Sequence, residues 1–314
     1  MRIIEDPPRS PAVSLPPGAE PVPVLDRLAR AVLRTLAYSD LFDYPLTAAE
    51  IARYLVGDSS GRAAVHEALA HDPVLLHLVE RQGPFYFLPG RAALVAVRQA
   101  RRADSLRLWR RAMRYSRLLR QFPFVRMIAV SGALAMQNVA GNPDIDLLVI
   151  VTPGRVWICR RLLILAVRAI RLRGDEICPN FILAADHLAL PQQDLFTAHE
   201  LAQMRPTAGY TVYRRMLDHN GWLRDHLPNA APWPPRTADP APLRIQRVAE
   251  RVLGTRALDG WERWEMARLA GKLGGGADDE VACTPHQCKG HTGYYRRHFL
   301  ARYAEHLDGL GLAL

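Results

Sequence analysis

The sequence predicts an α/β (α+β) fold: a core built on a small mixed sheet, between a compact N-terminal module and a helical C-terminal part. Three observations carry that prediction. Near the start, apolar residues recur at helical spacing. In the middle, two short apolar runs, Met127–Val130 and Asp144–Val151, read as buried strands on either side of a glycine-containing turn. After residue 190, helix-patterned segments dominate.

The bulk composition sets the limits. At 314 residues the chain has room for two ordinary domains. With 49% hydrophobic and 23% charged residues, a disordered chain is excluded. The most apolar stretch, Ile164–Ile170, is broken by Arg168, so no run approaches the ~18 residues of a membrane span. The chain begins Met-Arg-Ile-Ile-Glu-Asp and lacks the apolar core of a secretion signal, which predicts a soluble cytoplasmic protein without a membrane partner. Its four cysteines, Cys159, Cys178, Cys283 and Cys288, are too few and too unevenly spaced for a disulfide framework.

The elements follow in order. Residues 1–24 hold seven prolines and predict an extended, disordered tail. Leu28, Val32, Leu33 and Leu36 then mark a first helix. Thr47 with Glu50 reads as a capping box opening a second helix through Leu55, and Ala63–Ala70 forms a third. Two apolar runs within Leu75–Leu88, around Arg81-Gln82-Gly83-Pro84, read as a hairpin. Three helices and a hairpin over residues 25–90 resemble a winged helix-turn-helix. That resemblance implies nucleic-acid binding or a docking role, although the third helix, with Arg62, His66 and Glu67, offers few base-reading side chains.

A basic helical connector is expected over residues 91–122. Between Arg91 and Arg120 stand ten arginines against one acid, Asp104, nearly the whole net charge of +10. Two readings stay open: a solvated helix face, or a surface for polyanions, so that nucleic acid could bind through residues 25–120. The surplus of Arg, Ala, Pro and Leu is also what a GC-rich bacterial genome produces.

Residues 123–190 carry the chemistry. Met127–Val130 leads into Ser131-Gly132-Ala133, and after the turn Gly141-Asn142-Pro143 the next strand begins Asp144-Ile145-Asp146. Alternation along a strand puts both carboxylates on one side, where a divalent metal would relieve their repulsion. This order resembles the polymerase-beta-like nucleotidyltransferases, in a minimal form covering roughly residues 125–185. The resemblance implies a nucleotidyltransferase: Asp144 and Asp146 as catalytic and Mg²⁺-binding residues, and the backbone of Ser131, Gly132 and Ala133 holding the triphosphate of an NTP substrate. It implies transfer of a nucleoside monophosphate to a small molecule, protein or RNA acceptor, with release of pyrophosphate. The chain departs from that family's glycine-serine order, and Asn180 falls where a third carboxylate is usual, leaving Asp175, Glu176 or Asp186 as substitutes. The alternative is a nucleic-acid-binding regulator whose degenerate transferase domain senses a nucleotide.

Over residues 191–314, helices are expected at Asp194–Met204, Ala208–His219 and Leu243–Leu273, with a proline-rich loop at Pro228–Pro242 and with Trp261 and Trp264 buried. Cys283, His286, Cys288 and His291 lie within nine residues, closer together than standard zinc ligand pairs, and Lys289, His291 and Arg296 are open as phosphate contacts.

Overall fold

The computed structural model describes residues 26–141, 144–172, 174–235, 241–272, 281–290 and 295–312. The proline-rich tail and His291 lie outside them.

The chain opens with α1 (Arg27–Asp40), capped by Asp26, then β1 (Leu46–Thr47) and α2 (Ala48–Arg53), where Thr47 and Glu50 form the expected capping box. α3 (Arg62–His71) follows, then α4 (Pro73–Leu78), β2 (Glu80–Gln82) and β3 (Phe85–Phe87). The run Leu75–Leu78 is therefore helical rather than the first strand of the hairpin. Asp72 accepts bonds from the N–H groups of Val74 and Leu75, and Pro73 occupies the first helical position, a start signal that outweighs four apolar residues. The strands form a three-stranded antiparallel sheet in the order β1-β3-β2.

α5 (Leu94–Leu119) fills the expected connector and is bound to this module by arginine. The buried Arg98 pairs with Glu50 at 2.7 Å, donates to the Pro45 carbonyl, and lies over the rings of Tyr44 and Phe85. Arg91 bonds Asp40 and Asp43. Part of the basic run is thus structural.

Beyond it come β4 (Val125–Val130), α6 (Gly132–Ala135), β5 (Ile145–Val151), α7 (Val156–Arg171), β6 (Ile177–Ala184), α8 (Leu195–Gln203) and β7 (Arg205–Ala208). Next are α9 (Tyr210–His219), α10 (Leu223–His226), α11 (Arg244–Leu253) and α12 (Asp259–Lys272). The hairpin β8 (Val281–Cys283) and β9 (Gln287–Gly290) precedes α13 (Tyr295–Gly309). Six strands form one mixed sheet in the order β7-β4-β5-β6-β9-β8, with only β5 and β6 parallel. The largely helical C-terminal part therefore also lends strands to both edges. β7 contains Pro206, which an edge strand tolerates and which hides it from a search for β-branched alternation.

Both faces of the sheet are covered, which is why β4 and β5 read as unbroken apolar runs. Met127, Ala129, Leu148 and Ile150 point into a core shared with α1, α8, α9 and α13. Ile128, Val130, Leu147 and Val149 point into a second core with α5 and α7, against which Trp261 of α12 packs. Trp264, expected to be buried, is 56% exposed instead, its ring set beside that of Trp261 with centroids 6.3 Å apart.

A carboxylate pair at the mouth of the sheet

β4 ends at Val130 and β5 pairs with it antiparallel, so the turn after β4 meets the start of β5. The Ser131 N–H donates to the Asp146 carbonyl at 3.1 Å and extends the ladder by one bond. Gly132 then turns with φ +62°, and a Cβ built on it would sit 2.7 Å from Asp146 Oδ2. Glycine is required here twice over: for a left-handed backbone, and for the closeness of the carboxylate.

Asp144 and Asp146 lie together, as alternation predicted, and the Cys178 sulfur joins them: one donor atom from each falls within 4.8 Å of the others. Cys178 stands opposite Asp146 in the β5–β6 register. Asn180 Nδ2 donates to Asp146 Oδ1 at 3.0 Å. Burial, and then the charges of Asp144 and Glu200, push the Asp146 carboxyl well above the usual range, with the Asn180 bond opposing. The Cys178 thiol is pushed up to about 12 by burial and then by the two aspartates, so it stays protonated at neutral pH.

Of the other acids considered for a third position, none stands at the pair. Asp175 is held by Arg111 and Tyr115, Glu176 faces Arg171, and Asp186 bonds His187. Asn180 occupies the strand position beside Asp146. The acid whose charge Asp146 does feel is Glu200 on α8, itself raised by burial and drawn down by Lys289 on β9. Glu200 escaped the sequence reading because it sits within an ordinary amphipathic helix, some 54 residues past Asp146, with no motif around it. Lys289 is brought in by the pairing of β9 with β6, where it stands opposite Phe181. Arg296, by contrast, is engaged with Asp194.

The residues fit a hard divalent cation through oxygen. Two adjacent carboxylates, one of them disfavoured in its charged form, supply the donors, while a protonated thiol adds none that Mg²⁺ prefers.

Among the described residues, the members of the cysteine-histidine cluster do not form one site. Cys283 and Cys288 face each other across the β8–β9 pairing, whereas His286, in the turn between them, packs on His187.

No protein-family model matches the chain, and no curated protein or solved structure is significantly similar to it. What stands is a mixed α/β fold with a six-stranded mixed sheet and a small three-stranded one. No described helix is long and apolar enough to cross a membrane.

Proposed function

We propose that the chain is a Mg²⁺-dependent nucleotidyltransferase acting in the cytoplasm. The observation that carries this reading is the tight apposition of the Gly132 turn and the Asp144–Asp146 pair, a backbone approach reserved for glycine beside two carboxylates. An acceptor oxygen or nitrogen would attack the α-phosphorus of an NTP as the bond to the bridging oxygen of the β-phosphate breaks, and pyrophosphate would leave. Asp144 and Asp146 would hold Mg²⁺, which supplies charge neutralisation and alignment of the reacting oxygens. The Ser131 N–H is committed to Asp146, so the turn's donors to phosphate are the N–H groups of Gly132 and Ala133, which lack helical partners at the start of α6. With Asn180 beside Asp146, Glu200 is the acid left to accept the acceptor's proton, and Lys289 stands near enough to steady its charge.

The test is calorimetric binding of each of the four NTPs with and without Mg²⁺, for the native protein and for Asp144→Asn with Asp146→Asn. Binding that requires both Mg²⁺ and the aspartates supports the reading, and its absence for all four NTPs overturns it. Glu200→Gln is expected to keep NTP binding and to lose transfer.

Asn180 also favours a second reading: a regulator that senses a nucleotide without turning it over and grips nucleic acid through residues 25–120. The element order α1-β1-α2-α3, followed after the short α4 by β2-β3 in a three-stranded sheet, supports the winged-helix resemblance of residues 25–90. Arg102, Arg110, Arg114 and Arg117 of α5 are exposed and form no ion pair among the described residues; the last three share one helix face. Turnover of NTP to pyrophosphate with any acceptor rejects this second reading.

A further inference from the structure

At the end of the sheet opposite the aspartates lies a second group of donor atoms. Asp146 and Val151 mark the two ends of β5, five residues or about 17 Å apart at a strand's rise. There the Ala185 N–H donates to the Val151 carbonyl, and the chain turns out through Asp186 and His187. The turn between β8 and β9 folds onto the same point, with the Ala184 N–H donating to the His286 carbonyl at 2.8 Å. The imidazoles of His187 and His286 stack with centroids 3.4 Å apart and planes 17° apart, and Asp186 Oδ1 lies 2.9 Å from His187 Nδ1. One carboxylate oxygen and one ring nitrogen from each histidine fall within 4.8 Å of one another. His286 Nδ1 is buried and has no hydrogen-bond partner among the described residues. A buried polar atom left in that state is costly, so the His286 ring calls for a partner that the described residues do not supply.

We propose that Asp186, His187 and His286 bind a divalent transition-metal ion of zinc's type. Two neutral imidazoles and a carboxylate suit Zn²⁺ far better than Mg²⁺, whose preference is for oxygen donors alone. Asp186 and His187 are exposed, so a fourth position is open to water, the pattern of three protein ligands and one exchangeable one. The ligands come from two segments about a hundred residues apart in sequence, and the ion would fasten the β8–β9 turn to the end of β6. Because β9 also carries Lys289, the same fastening would steady the strand that reaches the aspartate end of the sheet. The site does not depend on the transferase reading.

The experiment is a titration of full-length, chelator-stripped protein with ZnCl₂ by calorimetry, in the Asp144→Asn/Asp146→Asn background so that the aspartate pair cannot compete. One Zn²⁺ ion per chain is expected. Replacing a ligand by alanine, in His286→Ala or His187→Ala, should weaken binding by more than about 100-fold, the upper end of what is lost with a residue that only orients a ligand. His187 is exposed, so His187→Ala keeps the test sound if His286→Ala fails to fold, which circular dichroism would report. Cobalt loading should give visible bands without thiolate charge transfer. Three outcomes overturn the proposal: no Zn²⁺ binding, binding indifferent to both histidine substitutions, or binding that survives them and disappears in Cys283→Ser/Cys288→Ser.

Discussion

Gly132→Ala separates the two demands placed on the turn after β4. A side chain in the left-handed region costs about 1–2 kcal/mol by itself. At Gly132 the new methyl carbon would also meet Asp146 Oδ2 at 2.7 Å, and displacing a carboxylate whose other oxygen, Oδ1, accepts from Asn180 belongs with overpacking, about 1–3 kcal/mol. The expected total is about 2–5 kcal/mol. Gly83 is the matched control, since its φ is +61° and a Cβ there would meet nothing within 4 Å, leaving the backbone cost alone. Urea unfolding of native protein, Gly132→Ala and Gly83→Ala yields both costs. The same pair in an Asp146→Ala background removes the clashing oxygen, and the excess at Gly132 should then disappear. Calorimetry with Mg²⁺ and NTP adds a functional readout, in which only Gly132→Ala should lose affinity. Equal costs at the two glycines, or a coupling between Gly132 and Asp146 below about 0.5 kcal/mol, would refute the claim that this turn is built around the carboxylate.

The remaining predictions concern charge. The folded-state carboxyl of Asp146 is raised, so its contribution to stability is complete below its ordinary value of 3.8 and is lost as pH rises through the folded value. Without metal, the native protein should therefore lose stability with rising pH relative to Asp146→Asn, and Mg²⁺ should close the gap; melting curves in chelator across a pH series check both. Arg98→Leu strands the Glu50 carboxylate in the pocket it shares with Tyr44 and should cost about 3–5 kcal/mol in urea unfolding, with partial recovery in Arg98→Leu/Glu50→Gln. Arg110→Glu/Arg114→Glu/Arg117→Glu should leave NTP binding intact. If duplex DNA binds, these changes should lower the slope of log affinity against log salt by about 0.9 for each lost phosphate contact; an unchanged slope in a filter-binding series would remove α5 from the interface.

The sequence conveyed local features better than distant ones. Helix starts were legible at Thr47 with Glu50 and at Asp194, where a side chain caps its own backbone through bonds that span only a few residues. The strands β4 and β5 were legible from their apolar runs, and the shared side of Asp144 and Asp146 followed from alternation alone. α4 misled because four apolar residues fit either state, and Asp72-Pro73 decided it. β7, β8 and β9 were hidden for another reason: each is only three or four residues long, β7 and β9 exist because distant strands offer them an edge, and β8 is added to β9 in turn. The site divides the same way. Asp144, Asp146 and Gly132 belong to one local motif, whereas Glu200, Lys289 and the meeting of His187 with His286 depend on strand order.

The contact between α1 and α13 has a consequence for how the protein is made. Tyr303 of α13 donates to the Arg34 carbonyl at 3.1 Å and sets its ring edge against Tyr38 of α1, so one of the first helices formed rests on the last. α1 must wait, half-covered, until some 270 further residues have emerged. Long-range closures of this kind slow folding, and they leave the apolar face of the early segment open meanwhile. A shortened chain ending before α13 should accordingly aggregate through Tyr38 and Phe42, whose rings rest on Tyr303 and Phe299, even with both sheets already in place.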